Sequence, residues 1–242
     1  MKDGGWMSTG TDGTSQLRVA VVDYGAGNLV SIDQAFKAVG GDPVLVREPD
    51  QLELADALVV PGVGAAAPAM DRLARRGLVE PIRQWIYHGR PYLGICLGLQ
   101  LLFEMSDEDG AETMGILPGR TARIEDAPTL PHIGWNQVAR RRHHPLFDGI
   151  AEDADFYFVH SYAGVPEGVS GDAAILGETT HGGRFVSAVD RGNVLGVQFH
   201  PERSGADGIR LVANFVRWAT ALAAGVGAQF APTGAGGTGG GD

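Results

Sequence analysis

Cysteine is almost absent from this chain, since Cys96 is the single thiol among 242 residues. One thiol excludes an internal disulfide framework and any metal site built from several thiolates. Cations are also few, with 19 Lys and Arg against 29 Asp and Glu. The formal net charge of −10 disfavours an extended nucleic-acid-binding surface, because such a surface needs clustered cations.

Long apolar runs are missing as well. No uninterrupted apolar stretch approaches the roughly 18 residues that cross a bilayer, and the polar, glycine-rich start lacks the basic and apolar character of a leader peptide. We therefore expect a cytoplasmic protein without a membrane partner. The hydrophobic fraction of 44% is that of a globular protein, and the length suits a single α/β domain with a sizeable core.

Composition divides the chain into three segments. Residues 1–16 are dense in Gly, Ser, Thr and Asp and predict a disordered leader, and residues 225–242 predict a Gly-rich disordered tail. Residues 17–224 form the predicted domain. Its first half alternates short apolar strands with helices, which predicts an α/β fold with a mostly parallel central sheet flanked by helices. Its second half is richer in strands, so we expect extra antiparallel strands there.

The expected elements follow from hydrophobic spacing and turn residues. In the first half we expect strands at 17–23, 44–46, 57–60 and 92–95, with helices at 31–39, within 68–88 and at 97–105. In the second half we expect strands near 122–124, 156–159, 174–176, 185–189 and 194–199, then a helix from 204 to about 223. Residues 190–193 predict a hairpin turn.

The strongest local signal is the Gly94-Ile95-Cys96-Leu97-Gly98 run, which lies between a predicted strand and a predicted helix. A cysteine in this setting resembles the nucleophile of a sharp strand-to-helix elbow. The glycines permit close packing of strand on helix, and the positive helix start favours a thiolate. The alternative is a buried cysteine in an ordinary turn.

A second signal is Gly196-Val197-Gln198-Phe199-His200-Pro201-Glu202, in which an apolar strand ends in a histidine. In extended chain, positions two apart face the same way, so Glu202 is expected to accept a hydrogen bond from His200. That bond would fix the imidazole tautomer and leave the other ring nitrogen for the thiol. The alternative is a solitary histidine in a loop.

A third signal is the Pro61-Gly62-Val63-Gly64 loop at the end of another predicted strand. A glycine-rich loop of this kind can direct a backbone N–H toward a substrate. Together with the N–H of Leu97, it would stabilise a tetrahedral oxyanion, an effect of about 3–4 kcal/mol per donor. A plain tight turn is the alternative for this loop.

Taken together, these motifs resemble the class I, triad-type glutamine amidotransferases. Residues 94–100, Gly-Ile-Cys-Leu-Gly-Leu-Gln, and residues 198–202, Gln-Phe-His-Pro-Glu, are similar to the family's nucleophile and His/Glu signatures. Within the family the chain is most similar to the glutaminase subunits of imidazole glycerol phosphate synthases, which serve histidine biosynthesis. The segments that favour this subgroup are residues 23–28, 61–64, 115–119, 131–136 and 160–162.

The resemblance implies a class I glutaminase fold and a set of roles. Cys96 would form a glutamyl thioester, with His200 as base and then acid and Glu202 as its orienter. The N–H groups of Val63 and Leu97 would form the oxyanion hole. The residues expected to hold L-glutamine are Gly62, Gly64, Gln100, Ser161 and Tyr162. No metal or organic cofactor is expected, because thiolate chemistry requires none.

The resemblance also implies a partner, a (β/α)8-barrel cyclase that receives the ammonia. As a heterodimer, the pair would convert a phosphoribulosyl-formimino-carboxamide ribonucleotide into imidazole glycerol phosphate and aminoimidazole carboxamide ribonucleotide. The residues expected to lie toward the cyclase are Asn28, Trp135, Asn136 and Tyr157. Arg203 stands where the family signature has lysine, which keeps the charge but changes the donor geometry.

Three alternatives remain open at the level of sequence. The chain could be a glutaminase that serves another synthase, such as one for pyridoxal phosphate, anthranilate or guanylate. It could be a non-catalytic scaffold that keeps the fold and regulates a partner. It could also be a general cysteine hydrolase without glutamine specificity.

Overall fold

The structure is a computed structural model that describes residues 16–225. The predicted leader and tail therefore lie outside the described residues, apart from Gln16 and Gly225. Within residues 16–225, no helix combines the length and the apolar character needed to span a membrane.

The first half alternates strands and helices as predicted. Its elements are β1 (Arg18–Val22), α1 (Leu29–Ala38), β2 (Asp42–Val46), β3 (Ala57–Gly62), α2 (Ala66–Arg75), α3 (Val79–Tyr87), β4 (Tyr92–Cys96) and α4 (Leu97–Gln100). A 3-10 turn at Pro49–Leu54 joins β2 to β3. Asn28 begins α1 because its side chain accepts a hydrogen bond from the backbone N–H of Ser31.

The second half is mostly strands. Its elements are β5 (Met105–Ser106), β6 (Gly119–Arg123), β7 (His132–Gln137), β8 (Ala139–Arg140), β9 (Asp155–His160), β10 (Tyr162–Pro166), α5 (Gly168–Ala174), β11 (Ile175–His181), β12 (Gly183–Arg191), β13 (Val194–Val197) and α6 (Gly205–Ala223). Short 3-10 turns lie at Pro145–Phe147 and Pro201–Arg203.

The large sheet has its parallel strands at the centre. Its order is β2-β1-β3-β4-β13-β12-β10-β6-β5, and every pair from β2 to β13 is parallel. Strands β12, β10 and β6 continue the sheet in antiparallel pairs, and β11 and β8 extend it beside β12. Strands β7 and β9 form a separate antiparallel pair. This arrangement confirms the predicted α/β class and the extra antiparallel strands.

The parallel strands inside the edge strand β2 are buried on both faces, which gives the domain three layers. Side chains of β1 alternate, with Val19 and Val21 in one apolar cluster and Ala20 and Val22 in the other. Helices α1 and α6 cover the first face, where the rings of Phe36 and Phe215 meet edge to face at 6.1 Å. Helices α2, α3 and α4 cover the second face.

Some local expectations were wrong. The helix expected at 97–105 ends at Gln100, because the chain then turns so that Glu104 N–H donates to the carbonyl of Gly119, the first residue of β6. Strands β7 and β10 and helix α5 were not predicted, since each owes its form to a partner element rather than to its own hydrophobic spacing. The predicted hairpin at 190–193 is confirmed by the β12–β13 pairing.

Strand β4 and helix α4 pack closely on each other and on β3. A Cβ atom at Gly94 would lie 2.5 Å from the carbonyl oxygen of Gly98. A Cβ atom at Gly98 would overlap the carbonyl oxygen of Val60. Neither neighbour is a flexible side-chain end, so both positions require glycine.

A histidine pair is buried where the small sheet meets the large one. The ring of His132 stacks on Phe158 at 4.9 Å and on His181 at 4.0 Å. Burial, together with the charge of His181, lowers the pKa of His132 to about 4. Burial is also the main cause that lowers the pKa of His160 to about 3, against a hydrogen bond to Tyr162 that raises it.

The close packing of α4 predicts that Gly98→Ala lowers the free energy of unfolding by about 3 kcal/mol or more, because a backbone carbonyl blocks the new methyl group. Gly89→Ala is the control. Gly89 has a positive φ of 74° but open space around its Cβ position, so its loss should be about 1 kcal/mol. Urea unfolding of both variants measures the difference, and equal losses would contradict the packing argument.

The histidine pair predicts acid sensitivity. Below pH 6.5 the unfolded chain protonates both imidazoles, whereas the native rings stay neutral down to about pH 4 and 3. The unfolded state therefore binds more protons, so stability falls with acid by up to about 2.7 kcal/mol per pH unit. Between pH 7.5 and 4.5, the free energy of unfolding of His132→Phe in urea should depend less steeply on pH than that of the wild type. The difference in slope should reach about 1.4 kcal/mol per pH unit. Equal slopes for the wild type and His132→Phe would contradict the predicted contribution of His132.

Candidate active site

Cys96 lies at a sharp bend between the last residue of β4 and the first turn of α4. Its backbone has φ 53° and ψ −107°, a conformation that L-residues rarely adopt. The bend is held by the close strand–helix packing and by the hydroxyl of Tyr92, which donates to the carbonyl of Gly98 at 3.0 Å. The sequence predicted this strand, elbow and helix in the correct order.

His200 and Glu202 lie just beyond β13, the strand next to β4 in the sheet. The Nδ1 atom of His200 is 2.8 Å from a carboxylate oxygen of Glu202, and both side chains are buried. The predicted bond is present, but the reason given for it was wrong. Residues Pro201–Arg203 form a 3-10 turn rather than extended chain, and this turn brings the carboxylate back to the ring.

The interactions of His200 favour its protonated form. Burial alone would lower the pKa of His200, but its contact with Cys96, its hydrogen bond to Glu202 and the charges of both raise it to about 10. By strict distance and angle, Nε2 of His200 has no hydrogen-bond partner among residues 16–225. The imidazole and the sulfur thus interact across a contact looser than a formed hydrogen bond. Such a pair can hold a thiolate beside an imidazolium.

A second donor reaches the sulfur. The side-chain amide of Gln198 is fully buried, and its Nε2 atom is 3.5 Å from Sγ of Cys96. The carbonyl oxygen of the same amide accepts a hydrogen bond from Nε2 of Gln100 at 3.1 Å. Sequence reasoning did not select Gln198, although the residue stands two positions before His200 on the same strand end.

A cavity of about 270 Å³ opens above Cys96. Besides Cys96, five of the residues predicted for the site line it, namely Val63, Gly64, Gln100, Ser161 and Tyr162. The sequence missed Glu108, a carboxylate in the wall whose pKa is raised by partial burial and by Asp109. His160 lines the wall as well.

The glycine loop adjoins the elbow because β3 and β4 are neighbours, with Gly62 paired to Cys96. Gly62 is not in the cavity wall but is needed behind it, since a Cβ there would overlap the Tyr24 hydroxyl and approach the Leu97 side chain to 3.0 Å. Gly64 takes a positive φ of 92°, which turns the loop toward α2. The backbone N–H groups of Val63 and Leu97 therefore lie just beyond the ends of the adjacent strands β3 and β4.

The residues expected to face a partner are split between two places. Trp135 and Tyr157 pair across β7 and β9, with their rings edge to face at 5.8 Å, and Trp135 is 56% exposed. The guanidinium of Arg203 lies over the Tyr157 ring at 4.1 Å. Asn28 is exposed at the start of α1. Asn136 instead turns its amide inward, to the carbonyl of Thr180 at 3.0 Å.

Comparison with known proteins matches both the sequence and the fold. Similar relatives are the imidazole glycerol phosphate synthase subunit HisH of Symbiobacterium thermophilum, 47% identical over 203 residues, and that of Synechococcus elongatus, 45% identical over 206 residues. The alignments cover 83% and 84% of this chain and 93% and 94% of the relatives.

Solved structures give the same fold at lower identity. PurLQS from Thermotoga maritima superposes with a TM-score of 0.67 at 20% identity, covering 84% of this chain and 99% of that one. A crystal structure described as a glutamine amidotransferase superposes with a TM-score of 0.66 at 20% identity, covering 85% and 98%. The sequence profile named Glutamine amidotransferase class-I matches residues 20–218. The chain therefore belongs to the class-I glutamine amidotransferase family, as its motifs had indicated.

Proposed function

We propose that this protein hydrolyses L-glutamine to glutamate and ammonia and is the glutaminase subunit of an imidazole glycerol phosphate synthase. The observation that carries the proposal is the nucleophile elbow at the floor of a small cavity, with the His200–Glu202 pair beside it. The names of relatives up to 47% identical support the assignment to histidine biosynthesis.

The proposed reaction has two steps, both at Cys96. The thiolate attacks the side-chain carbonyl carbon of glutamine, and the imidazolium of His200 gives its proton to the leaving nitrogen, which departs as ammonia. Water then attacks the glutamyl thioester and one of its protons passes to His200. The C–S bond breaks, which restores the Cys96 thiolate and releases glutamate, whose carboxyl proton goes to solvent. Glu202 keeps the imidazole oriented and stabilises its charged form in both steps.

The tetrahedral intermediates carry negative charge on the former carbonyl oxygen. We assign its stabilisation to the N–H groups of Val63 and Leu97, since the first N–H groups of a helix such as α4 have no partner within the helix. Gly62 supports this arrangement by allowing the loop to approach Leu97.

The cavity fits an amino acid better than a nucleotide. Its volume of about 270 Å³ lies at the lower end of ligand sites. The Glu108 carboxylate would bind the α-ammonium group of glutamine. Both amide protons of Gln100 are used, toward Tyr162 and Gln198, so its carbonyl oxygen is the atom left to accept from the same ammonium.

The ammonia is proposed to pass to a (β/α)8-barrel cyclase bound as a heterodimer. Exposed apolar side chains on β7, Ile133 at 60% and Trp135 at 56%, favour a protein interface there. Tyr157 and Arg203 continue this surface toward the site, and Asn28 lies at the start of α1, which packs near the 201–203 turn. A cytoplasmic location stays a prediction.

We predict weak glutamine hydrolysis by the isolated chain and strong stimulation by the cyclase with its nucleotide ligand. Cys96→Ala should lower turnover at least about 10³-fold in both settings, because it removes the nucleophile. The measurement is glutamate formation with and without cyclase. Strong activity of the isolated chain that the cyclase leaves unchanged would contradict the proposed subunit role, and turnover by Cys96→Ala would contradict the mechanism.

The cavity carboxylate predicts a defect in substrate binding. Glu108→Gln should raise KM for glutamine about 10-fold or more with a smaller change in kcat, because an ammonium partner is lost before the chemistry begins. Glu112→Gln is the matched control, since Glu112 is exposed and does not line the cavity. A KM equal to that of the control would remove Glu108 from the binding site.

A further inference from the structure

Buried and half-buried polar groups form a continuous chain from the Cys96 sulfur to the small sheet. From Sγ outward it passes through the Gln198 amide, the Gln100 amide and the carbonyl of Tyr162, with steps of 3.5, 3.1 and 2.7 Å. It then continues through His160, His132 and Asn136, with steps of 2.9, 3.3 and 3.4 Å. We call these groups the amide–imidazole chain.

The Tyr162 carbonyl fixes the polarity of the inner half, because a carbonyl can only accept. Gln100 must therefore present its NH2 group there, and the same NH2 group lies 3.1 Å from Oε1 of Gln198. With that oxygen accepting, the NH2 group of Gln198 must point to the sulfur of Cys96. The Tyr162 carbonyl therefore determines, through Gln100, that Gln198 presents its NH2 group to the Cys96 sulfur.

The same carbonyl fixes the outer half. His160 has to carry its proton on Nδ1 to donate to Tyr162, so in the neutral ring Nε2 is bare and accepts from Nδ1 of His132. His132 then has a bare Nε2, which accepts from the amide of Asn136. Both imidazoles are thereby required to be neutral Nδ1–H tautomers.

An independent anchor at the far end gives the same polarity. The NH2 group of Asn136 also donates to the carbonyl of Thr180 at 3.0 Å, while its Oδ1 accepts from the backbone N–H of Gln137 at 2.9 Å. The amide is therefore oriented as a donor toward His132 without reference to Tyr162. The Tyr162 carbonyl and the Asn136 amide thus require the same donor and acceptor in each hydrogen bond between them.

We propose that Gln198 is the hydrogen-bond donor that stabilises the Cys96 thiolate and that Gln100 fixes its orientation. His160, His132 and Asn136 are positioning residues that hold the Tyr162 carbonyl to which Gln100 donates. This inference deepens the proposed function, because it assigns how the nucleophile of that site is tuned. A donor aimed at a thiolate favours the charged form and increases the fraction of reactive sulfur at neutral pH.

Charged neighbours bear on the chain at its two rings. His132 faces His181, whose ring is 4.0 Å away and whose Nε2 contacts the carbonyl of Thr129, and it otherwise faces Phe158 and Phe185. His160 faces His200, whose positive charge opposes a second one. Protonation of Nε2 in His160 or His132 would place its N–H opposite the N–H of the next group, so that hydrogen bond of the amide–imidazole chain would be lost.

The first experiment measures the rate of Cys96 alkylation by iodoacetamide from pH 5.5 to 9.5 in the full chain. Gln198→Met keeps the length and removes the donor, so alkylation at pH 7 should slow about 10-fold and its midpoint should move up by about one pH unit. His132→Phe should slow it less, whereas the control His143→Phe, at an exposed histidine outside the amide–imidazole chain, should leave it unchanged. An unaltered pH profile in folded Gln198→Met, checked by circular dichroism, would overturn the proposal.

Should Gln198→Met not fold, Gln198→Glu replaces it in the first experiment, because a carboxylate keeps the size and removes the NH2 donor; an unaltered pH profile then overturns the proposal in the same way. The second experiment needs no variant and tests the positioning roles assigned to His132 and His160. Side-chain ¹⁵N–¹H correlation spectra of the histidines should show His132 and His160 as neutral Nδ1–H tautomers at pH 7. An Nε2–H signal from either ring would overturn the chain. Alkylation and tautomers do not depend on glutamine turnover, so absence of glutaminase activity in the presence of cyclase would sink the proposed function alone.

Discussion

The close approach of α4 to β3 is the constraint on which the site depends. With only a hydrogen atom at Gly98, the first turn of the helix settles against the carbonyl of Val60, and the chain must reverse within a single residue. That residue is Cys96, whose positive φ is the local cost of the reversal, on the order of 1–2 kcal/mol. The reversal places the sulfur at the carboxyl end of β4. The neighbouring strands β3 and β13 end at the same edge of the sheet, with Gly62 in β3 and His200 just after β13.

Two histidines close to the sulfur are pushed to opposite charge states by their surroundings. A carboxylate and a thiol raise the pKa of His200 to about 10, whereas burial without an anionic partner lowers the pKa of His160 to about 3. One ring is thereby prepared to hold and transfer a proton, and the other to donate a fixed hydrogen bond to the Tyr162 carbonyl. Such divergence between adjacent groups is a general means of assigning acid–base roles in a site.

Strand β7 connects the inside of the site with the surface. Because side chains alternate along a strand, Ile133 and Trp135 are exposed while His132 and Asn136 turn toward the protein. The strand that would meet a cyclase thus also carries the outer end of the amide–imidazole chain.

The sequence determined the order of the strands and helices in the first half, the glycine-flanked elbow at Cys96 and the proximity of Glu202 to His200, because these depend on neighbours within a few residues. It did not determine β7, β10 or the end of α4, whose forms depend on strand pairing across the fold. Glu108 and Gln198 carry no local signal of their own, and only folding places one in the cavity wall and the other against the sulfur. The directions of the buried hydrogen bonds were likewise decided by the tertiary structure, because a tautomer or an amide orientation follows from acceptors that lie far apart in the chain.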